Sequence, residues 1–378
     1  MVNEFVITDF GALPDGIADC TEAIQAALDR AGEVSGAVIV PPGTYLTGRV
    51  KLPSHVQIKG TPAWSYRSAG GSVLKLKDAD SKCLLDITGT IGSRISGLCL
   101  DGDNLGEEVH GLCFGREDFF DRTEEDTFVI EDCQVRRFSG NGLHLRLACC
   151  FAIRHCHIME NGGDGIYTDS WDGFLLDNQI SYNGGWGVRC APMGINNSAY
   201  TCTGNRVEWN QKGGFYLRHS RLWNITGNCF DRSGGPAIKI DRSATAGDAG
   251  DSRWVEMSSQ TITITGNIFN RSGADFQGDL PERDSCHLSM GGCFGVTVTG
   301  NSFLLGRDDA PEGNFSPKHS IVIEKLKGCV IANNTMWKAS RREPILDMGG
   351  HGEQVCVRDN MACPVPQADL DKGGRLIW

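Results

Sequence analysis

The chain has 378 residues, with 47 acidic against 36 basic side chains and a formal net charge of −11. That balance argues against nucleic acid or an anionic membrane surface as a partner. Forty-nine glycines, 8% aromatics and 22% charged residues suit a turn-rich globular protein, and no apolar run approaches the roughly 20 residues of a membrane span.

The first segment, "MVNEFVITDFGALPDG", lacks the basic and apolar regions of a secretory signal, so a cytoplasmic location is expected. The run from Asp19 follows, with Glu22 three residues on, as a capping-box-like helix start. Ile24, Ala27, Leu28 and Ala31 then form one apolar face suited to covering the open end of a sheet stack. Sixteen cysteines lie between Cys20 and Cys363 without a CxxC pair, and they read as reduced, buried thiols in place of small apolar residues. No metal and no cofactor are expected.

Beyond residue 60 one motif recurs: apolar, two small or polar residues, Asn, any residue, apolar. It occurs as "LLDNQI", "CTGNRV", "ITGNCF", "ITGNIF", "VTGNSF", "IANNTM" and "VRDNMA", with Asn at 178, 205, 228, 267, 301, 334 and 360. "IEDCQV" and "IRHCHI" place Cys133 and Cys156 at the same point. The successive spacings are 23, 22, 27, 23, 39, 34, 33 and 26, a floor near 22 with insertions. Short alternating segments broken by Gly, Asn and Ser exclude helical repeats and predict a solenoid of short strands. The expected fold is all-β, a right-handed, single-stranded parallel β-helix with a short N-terminal capping helix. It forms one domain over 1–378: cap and first coil over 1–60, stacked coils over 61–363, and a tail over 364–378. The repeated Asn fits an inward corner where stacked amides bond along the axis; alternatively, Asn simply tolerates the left-handed backbone of each turn.

The opening "FGALPDGIADCTEAIQAALDRAG", followed by "AVIVPPGTYLTGRVKLPSHVQI", resembles the start of the pectate-lyase and polygalacturonase superfamily. That superfamily includes alginate C-5 epimerases and many phage tailspikes, and the resemblance implies a role with carbohydrate. Of the polygalacturonase motifs, "GGDGIYTDS" keeps Asp164, the paired-Asp site reads Gly185-Trp186, and "PAIKIDRS" keeps Lys239 without its Arg. Polygalacturonase hydrolysis by the family's own acids is therefore not expected. "GLHLR" followed by "DGIYTDS" resembles the catalytic strands of alginate epimerases. Asp169 falls on that family's Asp, while His144 and Arg146 stand where it has Asp and His.

Strand parity turns one polar set outward: His144 and Arg146, Tyr167 and Asp169, Arg189, Tyr216 and Arg218, then Lys239 and Asp241. These are the expected floor of one groove. Asp169, Asp164, His144, Tyr167 and Asp241 are the catalytic candidates. Arg146, Arg189, Tyr216, Arg218 and Lys239 are expected to bind substrate, with Trp186 and Trp209 stacking on sugar faces and Glu160 and Glu208 bordering the groove. Trp171 borders the same stripe. Asp169 and Asp241, three coils apart at about 4.8 Å per coil, are too distant to act as a glycosidase pair unaided. Two remedies are open: Glu160, Asp164 or Glu208 in the bordering turns supplies the partner, or a neighbouring subunit of a homotrimer does, as in the trimeric β-helices of inulin fructotransferases, whose own Glu position reads Tyr167 here. The expected function is cleavage of glycosidic bonds in an acidic oligo- or polysaccharide, by a hydrolase or a glycosyl-transferring enzyme. Two alternatives stand beside it: a uronate lyase or C-5 epimerase using His, Tyr and Arg, and a non-catalytic glycan-binding β-helix.

Overall fold

The computed structural model describes residues 3–62, 65, 66, 68, 70–116, 124–190, 197–242, 258–307 and 314–371. Contacts divide the chain into two units, 1–184 and 185–378, each built from stacked coils. No helix among the described residues is long and apolar enough to cross a membrane.

In the first unit the helix Thr21–Gly32 buries Ile24, Ala27, Leu28 and Ala31, as the apolar spacing requires. Its N-cap is Cys20 rather than Asp19, and no side chain caps it. Asp19 instead accepts the amide and hydroxyl of Thr21 at 2.9 and 2.5 Å and pairs with Lys77 at 2.7 Å. The expected capping box therefore does not form: the strand Asp15–Asp19 runs up to the helix, and Glu22 is one residue short of the third helical position from Cys20.

Each coil of this unit contributes three parallel strands. One column runs through Glu4–Val6, Ala37–Ile39, Gln57–Lys59, Arg94–Ser96 and Val129–Glu131. A second runs through Val50–Lys51, Cys83–Asp86 and His110–Gly115. The long strands Leu143–Arg154 and Ile166–Leu176 continue both. A third, in a separate sheet, runs from Gly43–Thr47 through Leu98–Asp101 to Gln179–Ser181. The interior stacks like side chains, for example Phe114, Phe128 and Phe151 with ring centroids 5.4 and 5.3 Å apart.

The second unit repeats the plan. Trp186–Cys190, Gly213–Arg218, Ile238–Asp241, Cys286–Gly291 and His319–Glu324 form one parallel column. Asn197–Thr203, Ser220–Thr226, Ser259–Thr265 and Thr297–Thr299 form another. Arg206–Glu208, Cys229–Asp231, Ile268–Asn270 and Ser302–Leu304 form the third.

The repeated Asn is the stacked-amide device. In the second unit the Nδ2 groups of Asn205, Asn228, Asn267, Asn301 and Asn334 each donate to the Oδ1 of the next Asn, ending on Asn360, at 2.9–3.0 Å. The backbone amides of the same residues donate to the same oxygens. The left-handed position is the residue before each rung: Gly204, Gly227, Gly266 and Gly300 have φ of 63–72°, and Asn333 and Asp359 share the conformation. The rung Asn is therefore selected for its amide rather than for turn tolerance. In the first unit the thiols of Cys133 and Cys156 stand at this point and donate to carbonyls of the preceding coil at 3.8 and 3.6 Å. All sixteen cysteines are free thiols, ten of them buried.

A second amide pair, unread from sequence, closes another corner, with Asn161 Nδ2 donating to Asn183 Oδ1 at 3.0 Å.

Candidate functional site

In the first unit the second strand column carries the expected stripe. Leu143 and Leu145 point into the core while His144 and Arg146 point out; Ile166 and Thr168 point in while Tyr167 and Asp169 point out. The register pairs His144 with Tyr167 and Arg146 with Asp169 on consecutive coils. The rings pack face to face: His144 lies 4.8 Å from Tyr167 and 4.5 Å from His110, centroid to centroid. His110 was not anticipated, because it leads its strand and lies outside the alternating pair. Arg146 is exposed, and Asp169 is buried.

Asn141 sets the protonation of both imidazoles. Its Oδ1 accepts the backbone amide of Asp164 at 2.8 Å, so its Nδ2 is the group facing His144 Nδ1 at 3.0 Å. Its own backbone amide donates to His110 Nδ1 at 2.8 Å. Each ring must accept at Nδ1, so the neutral ring carries its proton on Nε2. Burial is the main force pushing both imidazoles down to about 4. His110 and Arg146 add to it at His144, and Lys82 adds to it at His110. At neutral pH His144 is therefore a hydrogen-bond donor at Nε2, not a base. Asp164, buried, serves this arrangement through its backbone.

The second unit holds a different cluster on the equivalent column. Arg189, Tyr216 and Lys239 share one register line, and Arg218 pairs with Asp241. Trp186 stacks on Tyr216 at 5.0 Å. Three residues missed in the sequence complete the cluster: Arg283, Asp284 and Glu324. Lys239 Nζ lies 2.8 Å from Asp284 and 3.9 Å from Asp241. Arg283 lies 3.3 Å from Asp241 and 3.1 Å from Glu324. Burial raises the Asp241 carboxyl against the pull of Lys239 and Arg283, and burial likewise raises the Tyr216 phenol. Beside the cluster is a cavity of about 220 Å³ whose lining includes Trp186, Lys212, Asp275, Phe276, Asp279 and Asp284. In this unit carboxylates engage two of the cations: Asp284 from the 271–285 insertion and Asp241 lie on Lys239, while Asp241 and Glu324 lie on Arg283. The spacing of 34 between Asn267 and Asn301 was the available signal for that insertion.

Other candidates lie elsewhere. Glu208 was expected in a bordering turn but sits fully buried in the third-column strand Arg206–Glu208, bonded to Arg206 at 2.9 Å. Trp209 lies under the Arg232 guanidinium, 4.9 Å from its ring, as a cation–π partner rather than an open sugar platform. Glu160 is an exposed left-handed corner residue whose charge acts on Arg137. Trp171 registers with Cys149, past the outward pair.

Residues 120–249 match the model "Right handed beta helix region", and residues 5–77 match "Rhamnogalacturonase A/epimerase, pectate lyase-like". The protein is a right-handed parallel β-helix whose N-terminal part matches a pectate-lyase-like model. Among curated proteins it is 32% identical over 195 residues to mannuronan C5-epimerase AlgE5 of Azotobacter vinelandii, covering 48% of this chain and 19% of that protein. It is 31% identical over 201 residues to alginate lyase 7 of the same organism, covering 48% and 22%. The chain thus spans about a fifth of the length of these relatives. The solved A-module of the A. vinelandii epimerase AlgE6 superposes with a TM-score of 0.67 at 17% identity, over 96% of this chain and all of that one.

Proposed function

We propose that the protein is a carbohydrate-active enzyme that acts on a uronate-containing glycan at C5, as a lyase or an epimerase, with its chemistry on the first unit. The observation that carries this reading is the His144–Tyr167 stack beside exposed Arg146, itself in register with Asp169. Abstraction of a proton next to a carboxylate needs a cation for that carboxylate, a donor for the developing enolate and a base. Arg146 supplies the first. His144, neutral with its proton on Nε2, supplies the second. Tyr167 is the base, since the imidazole beside it already holds its proton. Asp169, in register with Arg146 on the next coil, adds a carboxylate to the same rung. Return of a proton to the opposite face of C5 gives an epimer; loss of the C4 oxygen gives an unsaturated uronate. The curated relatives named for C5-epimerase and alginate lyase activity support this assignment.

A second reading, glycosidic hydrolysis, is favoured by one observation in the second unit. Asp241 and Asp284 share the single ammonium of Lys239, at 3.9 and 2.8 Å, which holds the two carboxyls inside the upper limit of roughly 9.5 Å that paired glycosidase carboxyls use. The raised Asp241 would be the acid.

One experiment separates them. The protein is incubated in deuterated water with a panel of acidic and neutral polysaccharides. Deuterium at C5 or ultraviolet absorbance from a C4–C5 double bond is expected with uronate polymers. New reducing ends without either signal would overturn the C5 reading and move the chemistry to Asp241 and Asp284.

A further inference from the structure

The two strands that carry His144 and Tyr167 also bring two thiols and a carboxylate together at their next corner. Cys149 Sγ lies 3.7 Å from Cys150 Sγ and 3.7 Å from Asp172 Oδ2, and ligand atoms from all three residues lie within 4.8 Å of one another. Adjacent side chains on a regular strand point to opposite faces. Here the register breaks between Arg146 and Cys149, and Cys150 adopts φ of 56°, so the neighbouring sulfurs turn to the same side. Asp172, with φ of 51°, occupies the same corner of the next coil, one rung from Cys150. A bond from the Cys149 amide to Asp126 Oδ2 at 2.8 Å pins the corner from the coil before. All three residues are only half-buried, so a cation has access.

The two edges that meet at Cys149, 3.7 Å each, are those of a tetrahedral site. Zinc–thiolate bonds of about 2.3 Å imply a sulfur–sulfur edge of about 3.8 Å, and zinc–carboxylate bonds of about 2.0–2.2 Å imply a slightly shorter sulfur–oxygen edge. Two sulfurs exclude hard cations such as magnesium or calcium as the preferred occupant. We propose that Cys149, Cys150 and Asp172 bind one thiophilic divalent cation of the zinc type, with water in the fourth position, clipping two consecutive coils. Binding releases the two thiol protons to solvent and involves no change of oxidation state.

The test is a titration of the full chain with Co²⁺ in a non-thiol reductant, read by the thiolate-to-cobalt charge-transfer band and tetrahedral visible bands. One equivalent per chain is expected, displaced by Zn²⁺, with Zn²⁺ raising the melting temperature. Cys150→Ser should abolish the charge-transfer band. Asp172→Asn, which keeps both sulfurs and nearly the same shape, should weaken binding about tenfold or more. No charge-transfer band in the native protein, or an unchanged titration in both variants, would overturn the site. So would recovery of Cys149 and Cys150 as a disulfide in the reductant.

Discussion

The two units solve the same packing problem and present opposite chemistry on equivalent strands. In the first, the outward residues are two neutral imidazoles, a phenol, a buried carboxylate and an exposed guanidinium. In the second, Lys239 and Arg283 are ringed by Asp241, Asp284 and Glu324 in a closed, half-buried network. A surface that leaves its cation to solvent is suited to an incoming carboxylate. One that engages its cations internally is suited to holding a loop, or to sharing protons between carboxyls. The difference originates in a loop: the second unit's 271–285 insertion supplies two of the network's five charges.

The largest expected effect that tests this contrast is at Tyr167. Tyr167→Phe keeps the stack and removes the hydroxyl, and should lower turnover on uronate polymers about a hundredfold or more with little change in melting temperature. Asp169→Asn should lower turnover through Arg146; normal turnover would make Asp169 scaffold.

Next in size is Lys239→Met. It leaves Asp241 and Asp284 with Arg283 as their remaining cation in a half-buried site, and should cost about 1.5–3 kcal/mol in a denaturant melt. A loss below about 1 kcal/mol would mean the network is solvated like ordinary surface pairs.

Arg146→Ala should raise KM for uronate substrates about tenfold while leaving the melting temperature alone, since this exposed residue is not part of a packed network. An equal fall in kcat with unchanged KM would shift Arg146 from binding to the reaction itself.

A further effect is a pH dependence. His110, His144 and His157 in the first unit are held down to about 4 by burial, and His287 in the second to about 3. The folded chain takes up these protons less readily than the unfolded chain, whose imidazoles titrate near 6.5. Stability is therefore full above about pH 6.5 and falls as pH drops toward 4. Melting curves across that window should show the decline, and His144→Gln should flatten part of it.

Much of this was legible from residues alone. The rung Asn positions, the apolar face of the capping helix and the outward parity of His144, Arg146, Tyr167 and Asp169 follow from local periodicity, which the sequence displays directly. Partners supplied by insertions were not legible: Arg283 and Asp284 return to the groove strands from a loop with no repeat to fix it. Glu208 was misplaced because its neighbour Trp209, not Glu208, takes the left-handed corner. The tautomer of His144 depends on an amide from another coil, and no spacing rule announces that bond.

The residue before each rung has one further consequence. From Asn205 to Asn360 each coil re-enters the same corner through a left-handed step and an amide that must meet its counterpart, whatever length of chain lies between. The gaps of 39, 34 and 33 residues are absorbed without loss of register, as the unbroken bonds from Asn228 to Asn334 show. The corner works as an error-correcting code: phase is restored once per turn, so an insertion in one coil does not propagate to the next. Length in this protein is thus free to vary where chemistry is added, and fixed where the wall must close.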